Sequence, residues 1–173
     1  IWDDQLYSAP RTIHGFYTKD ELQWLIQRRE TVRDLRRASV NPDIAGRPYQ
    51  KEAIQRVAET SVVDGEEGLR GNKRRALLVM ATGSGKTRTA AALVDVLFKS
   101  NWVKRVLFLA DRVALVNQAA NAFKTFLPEA SPVNLLDDPT GDGRVFVSTY
   151  PTMMGLIDET ADGQRRFGVG HFD

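Results

Sequence analysis

Between the apolar run Ala76-Leu77-Leu78-Val79-Met80 and a helical pattern that begins at Thr87 lies the loop Thr82-Gly83-Ser84-Gly85-Lys86-Thr87. No other feature restricts the fold as tightly. The run has the length of a buried strand, and a strand, a glycine-bearing turn and a helix in that order build a phosphate cradle. The glycines let the backbone wrap closely with its amides pointing inward, and the helix N-terminus adds positive potential. Lys86 is placed to reach the β- and γ-phosphates of a nucleotide, and the Thr87 hydroxyl to ligate Mg²⁺. One position departs from the general pattern: glycine is usual six residues before the lysine, and Met80 stands there. ATP with Mg²⁺ is the expected ligand, held by Thr82, Gly83, Ser84, Gly85, Lys86, Thr87 and the adjacent Arg88.

The remainder alternates in the same way. Thr87 to Lys99 reads as a helix with Ala90, Ala91, Val94, Leu97 and Phe98 as its buried stripe. Val106–Ala110 reads as a second buried strand, and Val113 to about Phe126 as a helix. Val133–Leu136 reads as a short strand, Val145–Ser148 as a clearer one, and a short helix follows Pro151. Strands apolar on both faces and separated by helices imply a mostly parallel sheet covered by helices, an α/β fold. Upstream, Thr18-Lys19-Asp20-Glu21 is a capping box that opens a helix expected to run to about Ala38, with Leu22, Leu25, Ile26, Val32 and Leu35 near one face. Asn41 to Gly46 is a breaker run, Pro48 starts another helix with Ala53, Ile54 and Val57 inward, and Asp64 to Gly68 reads as a polar loop. Residues 1–17 form a leading segment broken by Pro10 and Gly15. The expected division is a helical connector over 1–45 and an ATP-binding lobe over 46–173.

Composition excludes several classes. The chain has 173 residues and no cysteine, so neither a disulfide framework nor a thiolate metal site is possible. Its two histidines, His14 and His171, are far apart, which argues against a zinc site. No apolar run approaches the roughly 18 residues that cross a bilayer, and no signal-peptide pattern opens the chain, so a cytosolic (cytoplasmic) protein is expected. The net charge of +2 conceals an uneven distribution: from Arg70 to Lys124 eleven basic residues face only Asp95 and Asp111, whereas from Thr125 onward eight acidic residues face three basic ones. A central basic block suits a polyphosphate, either a nucleotide or a nucleic-acid backbone; a solvated charged face is the plainer reading. Ile1 in place of Met, and the stop at Phe172-Asp173, read as cuts through a larger protein.

Three further segments carry a family resemblance. Met80-Ala81-Thr82-Gly83-Ser84-Gly85-Lys86-Thr87 resembles motif I of superfamily 2 helicases and translocases, and Arg47-Pro48-Tyr49-Gln50-Lys51-Glu52-Ala53-Ile54 resembles the segment that precedes it in that group. Val106 to Ala119 looks like motif Ia, and Val147 to Met153 like motif Ib. Within the group, the sequence is most similar to the R (motor) subunit of type I restriction enzymes, over roughly Arg47 to Asp173. Tyr17 to Arg37 looks like that subunit's connector between nuclease and motor.

The resemblance implies a RecA-like three-layer sandwich in which Gln50 reads the adenine edge, with Arg47 or Tyr49 packed on the base, and Arg112 and Thr149 contact a DNA backbone. It implies that the closing Gly-His-Phe-Asp leads into a strand bearing a DEAH box, that a nuclease lies upstream, and that the partners are duplex DNA and the methylation and specificity subunits of a restriction complex. Hydrolysis needs a further carboxylate and an arginine that would come after Asp173, so these residues alone are expected to bind Mg-ATP with little turnover. On the residues themselves, Arg112 is also fit to pair with a neighbouring carboxylate, Thr149 to be an ordinary strand-end hydroxyl, and Gln50 to sit on a solvated helix face. Trp24 and Trp102 read as packing residues, and His171 as a surface residue. The rival functions are a stand-alone repair or remodelling helicase, a small-molecule kinase built on the same loop, and a non-catalytic nucleotide-sensing scaffold.

Overall fold

The computed structural model describes residues 16–66, 68–161, 164–168 and 170–173; the leading segment through residue 15, with Pro10, His14 and Gly15, lies outside the described residues. Helix α1 spans Lys19–Thr31 and opens with the capping box read from the sequence: the Glu21 amide donates to Thr18 Oγ1 at 3.3 Å, and Glu21 Oε2 accepts from the Thr18 amide at 2.7 Å. A 3-10 turn follows at Leu35–Arg37, then α2 at Pro48–Ser61. The hairpin of β1 (Val62–Gly65) and β2 (Gly68–Gly71) leads through Lys73–Met80 to the phosphate loop and α3 (Lys86–Lys99). β3 (Val106–Ala110), α4 (Val113–Phe126), β4 (Val133–Asn134), β5 (Val145–Thr149) and α5 (Tyr150–Asp158) complete the lobe, with a two-residue pair β6 (Thr160–Ala161) and β7 (Gln164–Arg165) beyond it.

The central sheet has the order β3-β5-β4 and both pairings are parallel, as the alternation of apolar strands and helices implied. The middle strand is buried on both faces. Val145 and Val147 point into a core shared with α2, α3 and α4, where Ile54, Ala91, Val116 and Phe123 meet. Phe146 points the other way, into a second cluster with Met153 and Leu156 of α5. Helices thus cover both sides of β5, which explains why its sequence shows no polar alternation. Leu35, Ile44 and Ala45, on the connector side of the expected division at residue 46, belong to the main core.

Four expectations differ from the structure. The first helix ends at Thr31 rather than near Ala38: Val32 is extended, the Arg33 amide donates to the Ser100 carbonyl, and Asp34 caps the separate 3-10 turn. α1 consequently buries no side chain, and only Leu35 of the expected apolar face enters the core. Of the expected polar loop, Asp64, Gly65 and Gly68 belong instead to the paired strands of a hairpin, with Gly68 at φ +120°. The run Ala76–Met80 belongs to no strand. Among the described residues no backbone hydrogen bond reaches it, and Leu77 and Val79 are 87% and 89% exposed. An apolar run supplies only half of a buried strand; it also needs a neighbour for its amides and carbonyls, and none of the described strands lies beside it. His171 is not a surface residue either: its ring packs edge-on against Phe146, Phe167 and Phe172, and burial pushes its pKa below the ordinary histidine value.

Arg36 ties the 3-10 turn to the hairpin. Its guanidinium donates to both oxygens of Asp34 (2.8 Å each) and to both of Asp64 (3.0 and 2.6 Å). These hydrogen bonds hold both carboxyls below the usual aspartate range. Depressed carboxylate values mean that the stabilisation is complete above the unfolded-state pKa of about 3.9 and drains away as pH falls through the lower folded values. Denaturant midpoints of the protein and of Arg36→Ala should therefore differ most above about pH 4 and converge as the medium is acidified further.

Candidate functional site

The phosphate loop keeps its shape through two glycines in the left-handed region, Gly83 at φ +76° and Gly85 at φ +85°. Gly85 is needed for a second reason: a Cβ there would stand 2.6 Å from Gln50 Nε2. The loop closes on itself, the Ser84 hydroxyl donating to the Ala81 carbonyl at 2.6 Å. Its Ser84 carbonyl then accepts from two side chains of α2, Tyr49 Oη at 2.9 Å and Gln50 Nε2 at 3.1 Å. A trans peptide is planar, so pinning the Ser84 carbonyl toward α2 turns the Gly85 amide away from it, toward the side where α3 begins. The amides of Lys86, Thr87 and Arg88 in the first turn of α3 find no acceptor among the described residues. This is the donor array that binds anions at helix starts.

Lys86 lies over the loop, Nζ at 3.2 Å from the Ala81 carbonyl and 3.4 Å from that of Met80. Thr82 sits at the exposed turn, and Thr87 is half-buried beside the lysine. The set fits a magnesium-bound nucleotide: of the two hydroxyls in the first helical turn, Thr89 donates to the Gly85 carbonyl and Thr87 stands next to Lys86 and the free amides, and Mg²⁺ takes few protein ligands and keeps phosphate oxygens and waters. Among the described residues no group of three or more His, Cys, Asp or Glu could hold a metal by itself.

Four residues placed at the nucleotide by sequence reasoning make protein contacts. Both ends of the Gln50 amide are engaged, Nε2 with Ser84 and Oε1 with the Arg47 amide at 3.3 Å. Arg47 Nη1 donates to Tyr49 Oη at 2.8 Å, completing a chain from Arg47 through Tyr49 to the loop. Arg88 turns away: Nε and Nη2 donate to the carbonyls of Ile44 and Asp43, and its guanidinium stacks over Phe126. Arg88 thereby fastens the start of α3 to the breaker turn before α2. What the sequence did not reveal is the Ser84 carbonyl as the shared acceptor, because a main-chain oxygen leaves no mark in residue identity.

Arg112 and Thr149 come together at one edge of the sheet. Ala110 pairs with Thr149 in the parallel register of β3 and β5, so both loops leave from the C-terminal ends of adjacent strands, where open α/β sheets present ligand-binding residues. Arg112 is the N-cap of α4 and is exposed, its Nε 3.6 Å from Asp111 Oδ2. Thr149 caps α5, its Oγ1 accepting from the Thr152 amide at 3.3 Å and donating to Thr152 Oγ1 at 2.9 Å. Next to it the Ser148 hydroxyl is buried without a partner among the described residues, and Tyr150 is exposed at the same strand end.

The family described as "Type III restriction enzyme, res subunit" matches residues 43–173. The endonuclease subunit of the type I restriction enzyme EcoKI of Escherichia coli K12 is 33% identical over 135 residues, covering 73% of this chain and 11% of that subunit. The corresponding subunit of EcoAI of Escherichia coli is 48% identical over 75 residues, covering 43% of this chain and 8% of the relative. The chain thus spans about a tenth of the length of these two relatives. No solved structure matches it. Among the described residues no helix is long and apolar enough to cross a membrane.

Proposed function

Because the chain belongs to the family described as type III restriction enzyme, res subunit, we propose that it forms the ATP-binding part of an ATP-dependent DNA translocase, the R subunit of a type I restriction endonuclease. The type I assignment draws on the two Escherichia coli relatives and on the motifs around Gly85, Arg112 and Thr149. In this reading residues 46–173 are the first RecA-like lobe of a three-layer sandwich and residues 1–45 the connector to an upstream domain. The observation that carries the proposal is the geometry of the loop: two left-handed glycines, a pinned Ser84 carbonyl and three free amides beside Lys86.

Each residue has a task that follows from its position. Lys86 exchanges the carbonyls of Met80 and Ala81 for phosphate oxygens, a short swing of an exposed side chain. The amides of Gly85 to Arg88 receive the remaining negative charge, and Thr87 would hold Mg²⁺ through its hydroxyl, where the ion would supply neutralisation of phosphate charge. Tyr49 and Gln50 hold the loop, and Gln50 is close enough to the cradle to exchange one of its two protein bonds for an adenine edge. Arg112 and Thr149 offer a guanidinium and a hydroxyl to a DNA backbone. Such contacts carry no sequence information, so target choice falls to methylation and specificity subunits.

The test is ATP hydrolysis by the full-length protein with and without linear duplex DNA. Strong stimulation by duplex supports a translocating motor. Turnover that ignores DNA but follows a small phosphoacceptor would replace this reading with a kinase.

A further inference from the structure

We infer that the chain carries a second nucleic-acid backbone surface, formed by the β1–β2 hairpin with Lys73, Arg74 and Arg75 and continued by Arg37 and Arg33. The inference rests on the reading of this chain as part of a DNA motor. The hairpin is a fixed element: Val62 is buried, Leu69 packs on the main core, and the Asn72 and Lys73 amides donate to Ser61 and Thr60 of α2 at 2.8 and 3.1 Å. Arg70 lies flat across it, so close that a Cβ on Gly65 would stand 2.5 Å from its Cδ. On the outer side Arg70, Lys73, Arg74 and Arg75 are all exposed, and none forms an ion pair among the described residues.

The positive surface does not stop at the hairpin. One cleft is lined by Arg37 together with Asp64 and Leu69 of the hairpin, and a second by Arg37 together with Arg33 and Ser100; Arg37 and Asp34 belong to both. Three carboxylates in this region are engaged by other cations, while Glu66 at the hairpin turn is exposed. Asp34 and Asp64 both chelate Arg36, and Asp95 holds Lys99 at 2.6 Å. Arg37, 88% exposed and 3.7 Å from Asp34, keeps its charge available, as does exposed Arg33.

Chemistry selects the partner. A protein interface draws most of its energy from buried aromatic or aliphatic anchors, and on the hairpin only Val63 among the described large apolar side chains is exposed. Exposed arginines and lysines, all but Arg37 outside any ion pair among the described residues, on and beside a hairpin that carries no such anchor suit a phosphate backbone, with affinity gained by counterion release. At its Arg33 end the surface also lies away from the phosphate loop. The Arg33 amide binds the Ser100 carbonyl at the far end of α3, roughly 20 Å from the phosphate loop at 1.5 Å per helical residue.

The experiment measures duplex binding by the full-length protein across a salt series, beside a variant combining Lys73→Glu, Arg74→Glu and Arg75→Glu with Arg37→Gln. None of these side chains packs in a core or touches the phosphate loop. The expected result is a slope of log K against log salt shallower by at least about 0.9 for each contact removed, with ATP turnover in the absence of DNA unchanged. An unchanged slope and affinity, with duplex still stimulating hydrolysis, would overturn the second surface while leaving the motor intact. Retained DNA binding with loss of an associated protein subunit would overturn it in favour of an acidic protein partner. Failure of the motor reading has a separate signature: the unmodified protein shows no stimulation by duplex, and the slope still reports on this surface.

Discussion

Lys86→Ala in the full-length protein will lower DNA-stimulated ATP turnover by roughly 10²–10³-fold, the scale seen when one preorganised charge donor is removed from a reacting centre. Nothing in the loop can replace it. Arg88 is committed to the carbonyls of Asp43 and Ile44, and Arg47 to the Tyr49 hydroxyl. The substitution leaves the fold intact because Lys86 is exposed and its only hydrogen bonds among the described residues are with the Met80 and Ala81 carbonyls, which solvent can satisfy. Thermal unfolding should therefore be unchanged while turnover collapses. Hydrolysis within a few-fold of the unmodified rate would remove the phosphate loop from the mechanism.

Phe123→Ala has the opposite profile. Phe123 is fully buried in α4, with its ring 5.4 Å from that of Phe108 and edge-on to it, so helix and sheet are joined at this point. Truncating a buried phenylalanine costs about 3–5 kcal/mol, against a total stability of about 5–15 kcal/mol for a typical domain. The denaturant midpoint should fall steeply at constant slope, or the protein should fail to accumulate in folded form. Val113→Ala, on the exposed side of the same helix, is the control and should leave the midpoint within about 0.5 kcal/mol. A mild effect at Phe123 would mean that the joint between α4 and β3 contributes little to the core.

What could be read from residues and what could not divide along a physical line. Local signals were legible: the Thr18 capping box, Pro48 at the start of α2, the glycines of the phosphate loop, and the two-faced apolar strands β3 and β5 all follow from interactions a few residues long or from burial on both faces. Ala76–Met80 failed because strand formation depends on a partner elsewhere, which an apolar run does not reveal. The early end of α1 failed for a related reason, since the Arg33 amide is captured by Ser100, a residue distant in sequence. At the site, residue types singled out Lys86 and Thr87 as candidates, while the contacts of Gln50, Tyr49 and Arg88 with main-chain oxygens were invisible because any residue supplies a carbonyl.

The lack of ladder bonds at Ala76–Met80 also bears on how this chain behaves among its own copies. A short apolar segment without backbone partners among the described residues, showing Leu77 and Val79 to solvent, is a template on which another extended chain can assemble. Lys73, Arg74 and Arg75 stand directly before it, and like charges at that flank repel a second copy approaching in register. They are gatekeepers in the sense used for aggregation-prone strands. The same three cations that we assign to a DNA backbone thus protect solubility, and replacing them with neutral residues would expose a cohesive edge that charge now keeps apart.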